Sequence, residues 1–192
     1  MMCMDRRETL KIASVMLAGL CGGASAQETD APLAPGSASK QDFDYFIGDW
    51  RVENQRLRQR LAGSHDWEVF AGRTRCQQMF DGLVNLNESV SHRQGRTTYG
   101  LGLRAFDAPR GRWADWYLSA SEPSRIDAPL YGRFADRVGT FYSRDSFEGR
   151  PILVRGRFTP VNDAEAKWDQ SFSIDEGATW EINWIMRYIR IG

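Results

Sequence analysis

The run Trp180-Glu181-Ile182-Asn183-Trp184-Ile185-Met186-Arg187-Tyr188-Ile189-Arg190 decides the fold class. Trp180, Ile182, Trp184, Met186 and Tyr188 share one parity. Successive side chains of a strand point to opposite faces, so this parity gives the run one large apolar face. The stretch before it behaves alike. Trp168, Gln170 and Phe172 share a parity, and Lys167, Asp169, Ser171 and Ser173 share the other. Both aromatic sets are expected to face a common interior, because a one-residue slip would expose every ring.

Working outward, the same signal recurs. Strands are expected over 48–57, 66–79, 83–92, 96–106, 112–120, 131–142, 151–158, 166–173 and 179–190. Turn chemistry separates them. Asp81-Gly82 is a tight-turn dipeptide, and Gln94-Gly95, Pro109-Arg110-Gly111 and Glu148-Gly149 set Gly where positive φ is wanted. Asp175-Glu176-Gly177 closes the last hairpin. No long amphipathic helix and no repeat of fixed period is present. About nine short strands with short connections predict an all-β antiparallel meander, and such a meander hides its edges by closing into a barrel.

The chain has 192 residues with 42% apolar and 26% charged, which suits one domain with a real core. Its start reads Asp5-Arg6-Arg7-Glu8-Thr9-Leu10-Lys11, then a short apolar stretch to Leu20, then Ala24-Ser25-Ala26. This is the pattern of a cleavable signal peptide over 1–26, cut between Ala26 and Gln27. The paired arginines resemble a twin-arginine signal. Thr9 stands where such signals often carry Phe, so the general export route stays open. The apolar stretch is too short for a membrane span. Cys21 follows Leu20 rather than a small residue, and the Ala-Ser-Ala site competes with lipidation. The expected location is periplasmic or secreted, with a flexible leader over 27–41 and the barrel over 42–192.

Removing the signal leaves 22 basic and 23 acidic residues. That balance carries no footprint for nucleic acid or an anionic membrane surface. Apart from Lys40 and Lys167 the mature basic residues are all Arg, a fork suited to planar anions. Cys76 is the lone mature cysteine and reads as a small buried hydrophobe. Ser64-His65-Asp66 spells a triad in a row, but adjacent residues cannot form that relay. Gly100-Leu101-Gly102-Leu103-Arg104-Ala105 lies inside a strand and opens no helix, so it is not a dinucleotide loop. Its glycines suit a bend or a close approach. His65 and His92 are not at a ligand spacing, so no metal is expected.

Two segments carry a resemblance. Phe43-Asp44-Tyr45-Phe46-Ile47-Gly48-Asp49-Trp50 sets a Gly-x-Trp on the first strand after a short helical turn. It looks like the opening of the lipocalin-like, or calycin, barrels. In those barrels a basic residue of the last strand packs across the Trp, which implies a plug of Gly48 and Trp50 with Arg187 or Arg190. Gly132-Arg133-Phe134, Val154-Arg155 with Phe158, Trp168-Asp169-Gln170 and Asn183-Trp184-Ile185 resemble a bacterial exported lipocalin-like family. That resemblance covers roughly 42–190 and implies a fold, not an activity. Nitrobindin-type barrels resemble this fold and hold haem through a His. No His stands near the end of this sequence, so no cofactor is expected.

A small, partly apolar ligand is the expected partner. Trp116, Trp168, Trp184 and Tyr188 would line the interior. Arg133, Arg155, Gln170 and Asn183 would orient the ligand, with an acid group meeting Arg133 or Arg155. Two alternatives stay open: a barrel isomerase or hydrolase using pocket Arg, Tyr or carboxylate groups, and a cell-envelope interaction module with a packed interior. No residue pattern names the ligand or sets an oligomeric state.

Overall fold

The computed structural model describes residues 31–192. The expected cleavage site at Ala26 and Gln27 and the start of the leader lie outside them. A 3₁₀ turn, Asp44–Phe46, leads into ten strands. They are β1 Gly48–Leu57, β2 Trp67–Met79, β3 Val84–Arg93, β4 Arg96–Asp107, β5 Arg112–Ser119, β6 Leu130–Ala135, β7 Val138–Phe147, β8 Arg150–Asn162, β9 Glu165–Ser173 and β10 Glu181–Arg190. Each pairs antiparallel with its sequence neighbours, and β1 pairs with β10 from Trp50↔Arg190 to Arg56↔Trp184. The sheet therefore closes and leaves no edge.

The tenth strand comes from a turn without glycine. The expected strand 131–142 splits at Asp136 and Arg137, whose φ values of 51° and 66° make a two-residue hairpin turn. Asp tolerates that region better than most residues, but a following Arg gives no sequence cue. Elsewhere Gly95 and Gly149 take the positive φ expected of them.

Register shows which side faces inward, because directly opposed residues share a face. One row of partners runs Phe106, Trp113, Gly132, Phe141, Gly156, Gln170, Trp184, Arg56 and Glu68. This inner row winds from one end of the barrel to the other, as strand tilt requires. A glycine is needed where it passes Gly132, since a Cβ there would collide with the Phe141 ring.

The two ends of the interior differ. One is shut by the segment before β1. Phe43 and Phe46 insert among Trp113, Phe134, Phe141, Phe158 and Tyr188, all buried. Phe43 meets Trp113 edge-on at 5.0 Å, a favoured aromatic geometry. The Trp113 indole N–H donates to Asp42 Oδ2 at 3.1 Å and Ser39 O at 3.2 Å. Ser37 exchanges two backbone hydrogen bonds with Phe134, and Ala34 is buried. Residues 34–41, expected as flexible leader, are thus docked on the barrel.

Three expected orientations change. Trp116 stands on the outer face. Phe43 packing draws Trp113 inward, and a residue three positions on has the opposite parity. Trp180 and Ile182 also lie outside, because the register of β10 against β9 shifts between Ile182 and Trp184. The extra residue, Asn183, is a β-bulge, and a bulge reverses parity beyond it. Trp184, Met186 and Tyr188 keep the inward face.

Candidate functional site

At the end opposite the plug, inward side chains stay accessible. Trp168, Gln170, Trp184, Met186, Leu130 and Asp115 face inward by register yet are only partly buried, and Tyr117 is 55% exposed. Solvent therefore enters this half of the barrel, whereas Trp113 and Phe141 at the plugged end have 0% exposure. This open half is the candidate site.

Its floor is Arg104. The guanidinium is buried and bonds Asn85 Oδ1 at 2.9 Å and Asn87 Oδ1. It also lies 5.0 to 5.3 Å from the rings of Phe43, Phe46 and Phe158. A buried cation needs such compensation. The Cys76 thiol donates to the same Asn85 Oδ1 at 3.1 Å, and burial raises its pKa. Burial of the Tyr188 hydroxyl likewise raises its pKa far above that of an ordinary phenol.

Opposite Arg104 in register stands Asp115, whose carboxylate accepts no hydrogen bond among the described residues. Burial pushes its pKa up to about 6, with Arg104 pulling the other way.

The wall of β9 and β10 is aromatic. Trp168 and Trp184 meet edge-on at 5.6 Å. The Trp184 indole N–H donates to Asn54 Oδ1 at 3.1 Å, and Arg56 stacks on the Trp184 ring at 4.6 Å. Gln170 Nε2 donates to Asn183 Oδ1 at 3.1 Å. At the rim Arg93 bonds the Glu68 carboxylate through Nε at 2.7 Å and Nη2 at 2.5 Å. Tyr117 crosses the neighbouring strand, where a Cβ at Gly100 would collide with its ring and hydroxyl. The close approach expected at Gly100 and Gly102 is made by side chains of the neighbouring strands, Tyr117 of β5 and Asn87 of β3.

Of the residues expected to line a pocket, Trp168, Gln170, Asn183 and Trp184 come together inside, whereas Tyr188 faces inward but packs in the plugged end against Phe46. Trp116, Arg133 and Arg155 do not face inward. Arg133 reaches outside to the carbonyls of Gly111 and Arg110 at 2.8 and 3.2 Å. Arg155 stacks on Trp180 at 4.2 Å and bonds Ser171 Oγ at 3.3 Å on the outer face. Both have inward-facing neighbours, Phe134 and Val154, which fix their parity. Of the expected plug, Arg190 stacks on Trp50 at 4.1 Å, whereas Arg187 points out to Glu53 and Glu165.

Sequence reasoning alone misses Asn54, Arg56, Arg104, Asp115 and Tyr117. Stepping by two from Trp50 gives Val52, Asn54 and Arg56, so the signal for β1 lies in the sequence. His65 and His92 are exposed. Among the described residues no three metal-ligating side chains gather, and no helix is long and apolar enough to cross a membrane. Two surface grooves of about 650 and 390 Å³ lie elsewhere, one beside the Asp49–Arg75 ion pair and one beside the plug. Neither gathers the Trp168–Trp184 pair.

No family model matches this chain, and no curated protein matches it in sequence. Solved structures do. The S-type phycobiliprotein lyase CPES from Guillardia theta is 11% identical with a TM-score of 0.56, over 80% of this chain and 92% of that one. A redesigned β-barrel is 13% identical with a TM-score of 0.45, over 81% and 100%. A protein described as EF1p2_mFAP2b bound to DFHBI is 12% identical with a TM-score of 0.44, over 79% and 98%. The lyase shows that the closed antiparallel barrel is a fold this chain shares with known proteins.

Proposed function

We propose that this chain is an exported, lipocalin-like binding protein that holds one small, partly apolar ligand in the open half of its barrel. One observation carries the reading: the interior is packed shut at the plugged end and accessible around Trp168, Trp184 and Tyr117 at the other. Aromatic walls with a few polar groups are the makeup of a ligand site. A purely structural barrel of this size would fill with side chains throughout. The export part of the reading rests on Arg6, Arg7 and the Ala24-Ser25-Ala26 site.

The neutral dye N-phenyl-1-naphthylamine tests the site. Saturable one-to-one binding, with energy transfer from the interior tryptophans, is expected. Absence of saturable binding, together with a native mass equal to the bare chain for protein purified from its own host, would overturn the reading. An N-terminus other than Gln27 in the exported fraction would overturn the cleavage site.

Asp115 supports a second reading, a barrel enzyme. A carboxyl with a pKa near 6 inside a cleft can take and return protons at neutral pH. Small molecules recovered from the purified protein would then be converted by wild type and left unchanged by Asp115→Asn. Equal treatment of them by both proteins would remove this reading.

A further inference from the structure

Among the described residues, several hydrogen-bond donors around Trp184 are left without acceptors. An indole N–H only donates, so its bond to Asn54 fixes that amide with oxygen toward Trp184 and leaves the NH₂ over. Asn54 has 0% exposure, and its Nδ2 has no partner among the described residues. A buried unpaired donor is costly and calls for an explanation. Arg56, two residues on and inward by register, makes no hydrogen bond or ion pair among the described residues. What it touches is the Trp184 ring. The Trp168 indole N–H also has no partner among the described residues, and it sits where a Cβ on Gly156 would be 3.3 Å away.

The other interior arginines are satisfied. Arg93 is held by Glu68, Arg104 by Asn85 and Asn87, and Arg190 by backbone carbonyls. Glu68 is the carboxylate opposite Arg56 in register, and Arg93 occupies it. Arg60, at the rim over the Phe147 and Phe172 rings, adds a second positive charge without a carboxylate bonded to it. Burial and the neighbouring charges of Arg60 and Arg93 bring the Arg56 pKa down to about 10, so it remains a cation at neutral pH. The inward acidic group without a hydrogen-bond partner among the described residues, Asp115, belongs to β5 and stands beside Arg104 in register, where it acts on the Tyr188 hydroxyl of β10.

We infer that the site takes a monomeric organic anion, its acid group held by the Arg56 guanidinium and the Asn54 amide and its apolar body laid along Trp184 and Trp168. A carboxylate, sulfonate or phosphate supplies several acceptors at one point, which is what this donor cluster lacks. A guanidinium fork matches such planar or trigonal oxygens. The inference rests on the binding-site reading above and adds the charge of the ligand.

A matched dye pair tests it. The dye 8-anilinonaphthalene-1-sulfonate has the body of N-phenyl-1-naphthylamine plus a sulfonate. Wild type is expected to bind the sulfonated dye at least about tenfold more tightly, the effect of one good charged contact. Arg56→Gln removes the cation. Asn54→Asp keeps an acceptor for Trp184 but sets a carboxylate near Arg56. Both variants should lose the preference, read as the ratio of the two dye affinities within each protein, with unchanged far-ultraviolet circular dichroism. Equal wild-type affinity for the two dyes would overturn the anion inference and leave the binding site standing. Preference surviving in Arg56→Gln would overturn the assignment to Arg56. Failure of the neutral dye to bind wild type would remove the site itself.

Discussion

The Arg190 guanidinium lies 4.1 Å over the Trp50 ring and donates to the carbonyls of Tyr45 and Ile47, each at 2.6 Å. A third bond runs from Nε to Asp163 O at 3.0 Å. One side chain of the last strand therefore holds the first strand, the turn before it and the β8–β9 hairpin. Gly48, at φ 125°, is the place where this happens, since a Cβ there would lie 2.6 Å from Arg190 Nη1. Closure of the barrel and attachment of the plug are one event at this arginine.

Arg190→Met is accordingly expected to destabilise the fold by roughly 2–4 kcal/mol, from lost charged hydrogen bonds and lost stacking. For a domain of this size that lowers Tm by roughly 5–15 °C. Arg190→Lys should fall between, because an ammonium cannot bond two carbonyls and stack at once. Thermal melts of the three proteins decide it. A melt of Arg190→Met within a degree of wild type would show that the plug is held by the aromatic cluster alone.

Cys76 reports on the same closure from inside. The thiol is buried, bonded to Asn85, and held protonated by its surroundings. The thiolate is the reactive form, so the folded protein should react with 5,5′-dithiobis(2-nitrobenzoate) at least about a hundredfold more slowly than in guanidinium chloride. Phe43→Ala, which removes a ring from the plug and should cost about 3–5 kcal/mol, should speed that reaction in the folded state. A fast thiol in the native wild type would mean that the floor is open to solvent.

How far the sequence carries the fold depends on local chemistry. Gln94-Gly95 and Glu148-Gly149 announce their turns, because glycine marks positive φ. Asp136-Arg137 makes the same kind of turn without a glycine and is silent. Alternation places Trp168, Gln170, Trp184 and Tyr188 inside, because nothing interrupts parity between them and the core. It fails for Trp180 and Ile182, beyond the bulge at Asn183, which only the register against β9 reveals. It places Trp116 inside and fails there too, because Trp113 and Trp116 are two tryptophans of opposite parity on one strand and Trp113 takes the inward face. The choice is made by Phe43, a residue 70 positions earlier in the chain. Arg133 and Arg155 draw attention as arginines in family-like motifs, whereas Arg56 draws none. Period two from Trp50 places Arg56 inward, but only the closed pairing of β1 with β10 brings it to Trp184.

The hairpin beyond β9 turns on Asp175. Its Oδ1 accepts from Ser173 Oγ at 2.7 Å and the Thr179 N–H at 2.8 Å, and Oδ2 accepts from the Thr179 hydroxyl. These bonds, first those from Thr179, bring its pKa down to about 2. A lowered carboxyl contributes above its ordinary pKa, and the contribution is lost as pH falls through about 2. The turn should therefore keep its bonds through mildly acidic solution. Asp175→Ala should release the Thr179 amide, speeding its hydrogen exchange at least about tenfold while core amides such as that of Phe141 stay protected. Unchanged exchange at Thr179 would show that the turn is held by Trp180 packing instead.

Asp115 makes the opposite pH prediction. Its folded-state pKa, about 6, lies above the ordinary value of 3.8. Between those values the native state binds the proton and the unfolded chain has lost it, so this group's contribution falls as pH rises and levels off above 6. Asp115→Asn removes the ionisation and keeps the shape. The variant should gain on wild type by about 3 kcal/mol at pH 7.5 and about 1 kcal/mol at pH 4.5, because each pH unit crossed between the two values weighs about 1.36 kcal/mol. Arg104, which lowers this pKa, should widen the gap when replaced. In Arg104→Met the carboxyl loses its nearest cation, and the benefit of Asp115→Asn at pH 7.5 should be larger than in wild type. Urea melts of the four proteins at the two pH values measure the coupling directly. A gap between wild type and Asp115→Asn that stays constant with pH would mean that Asp115 is already solvated at the open end. The carboxyl would then be an ordinary surface acid, and the uncompensated charge inside the barrel, among the described residues, would be that of Arg56.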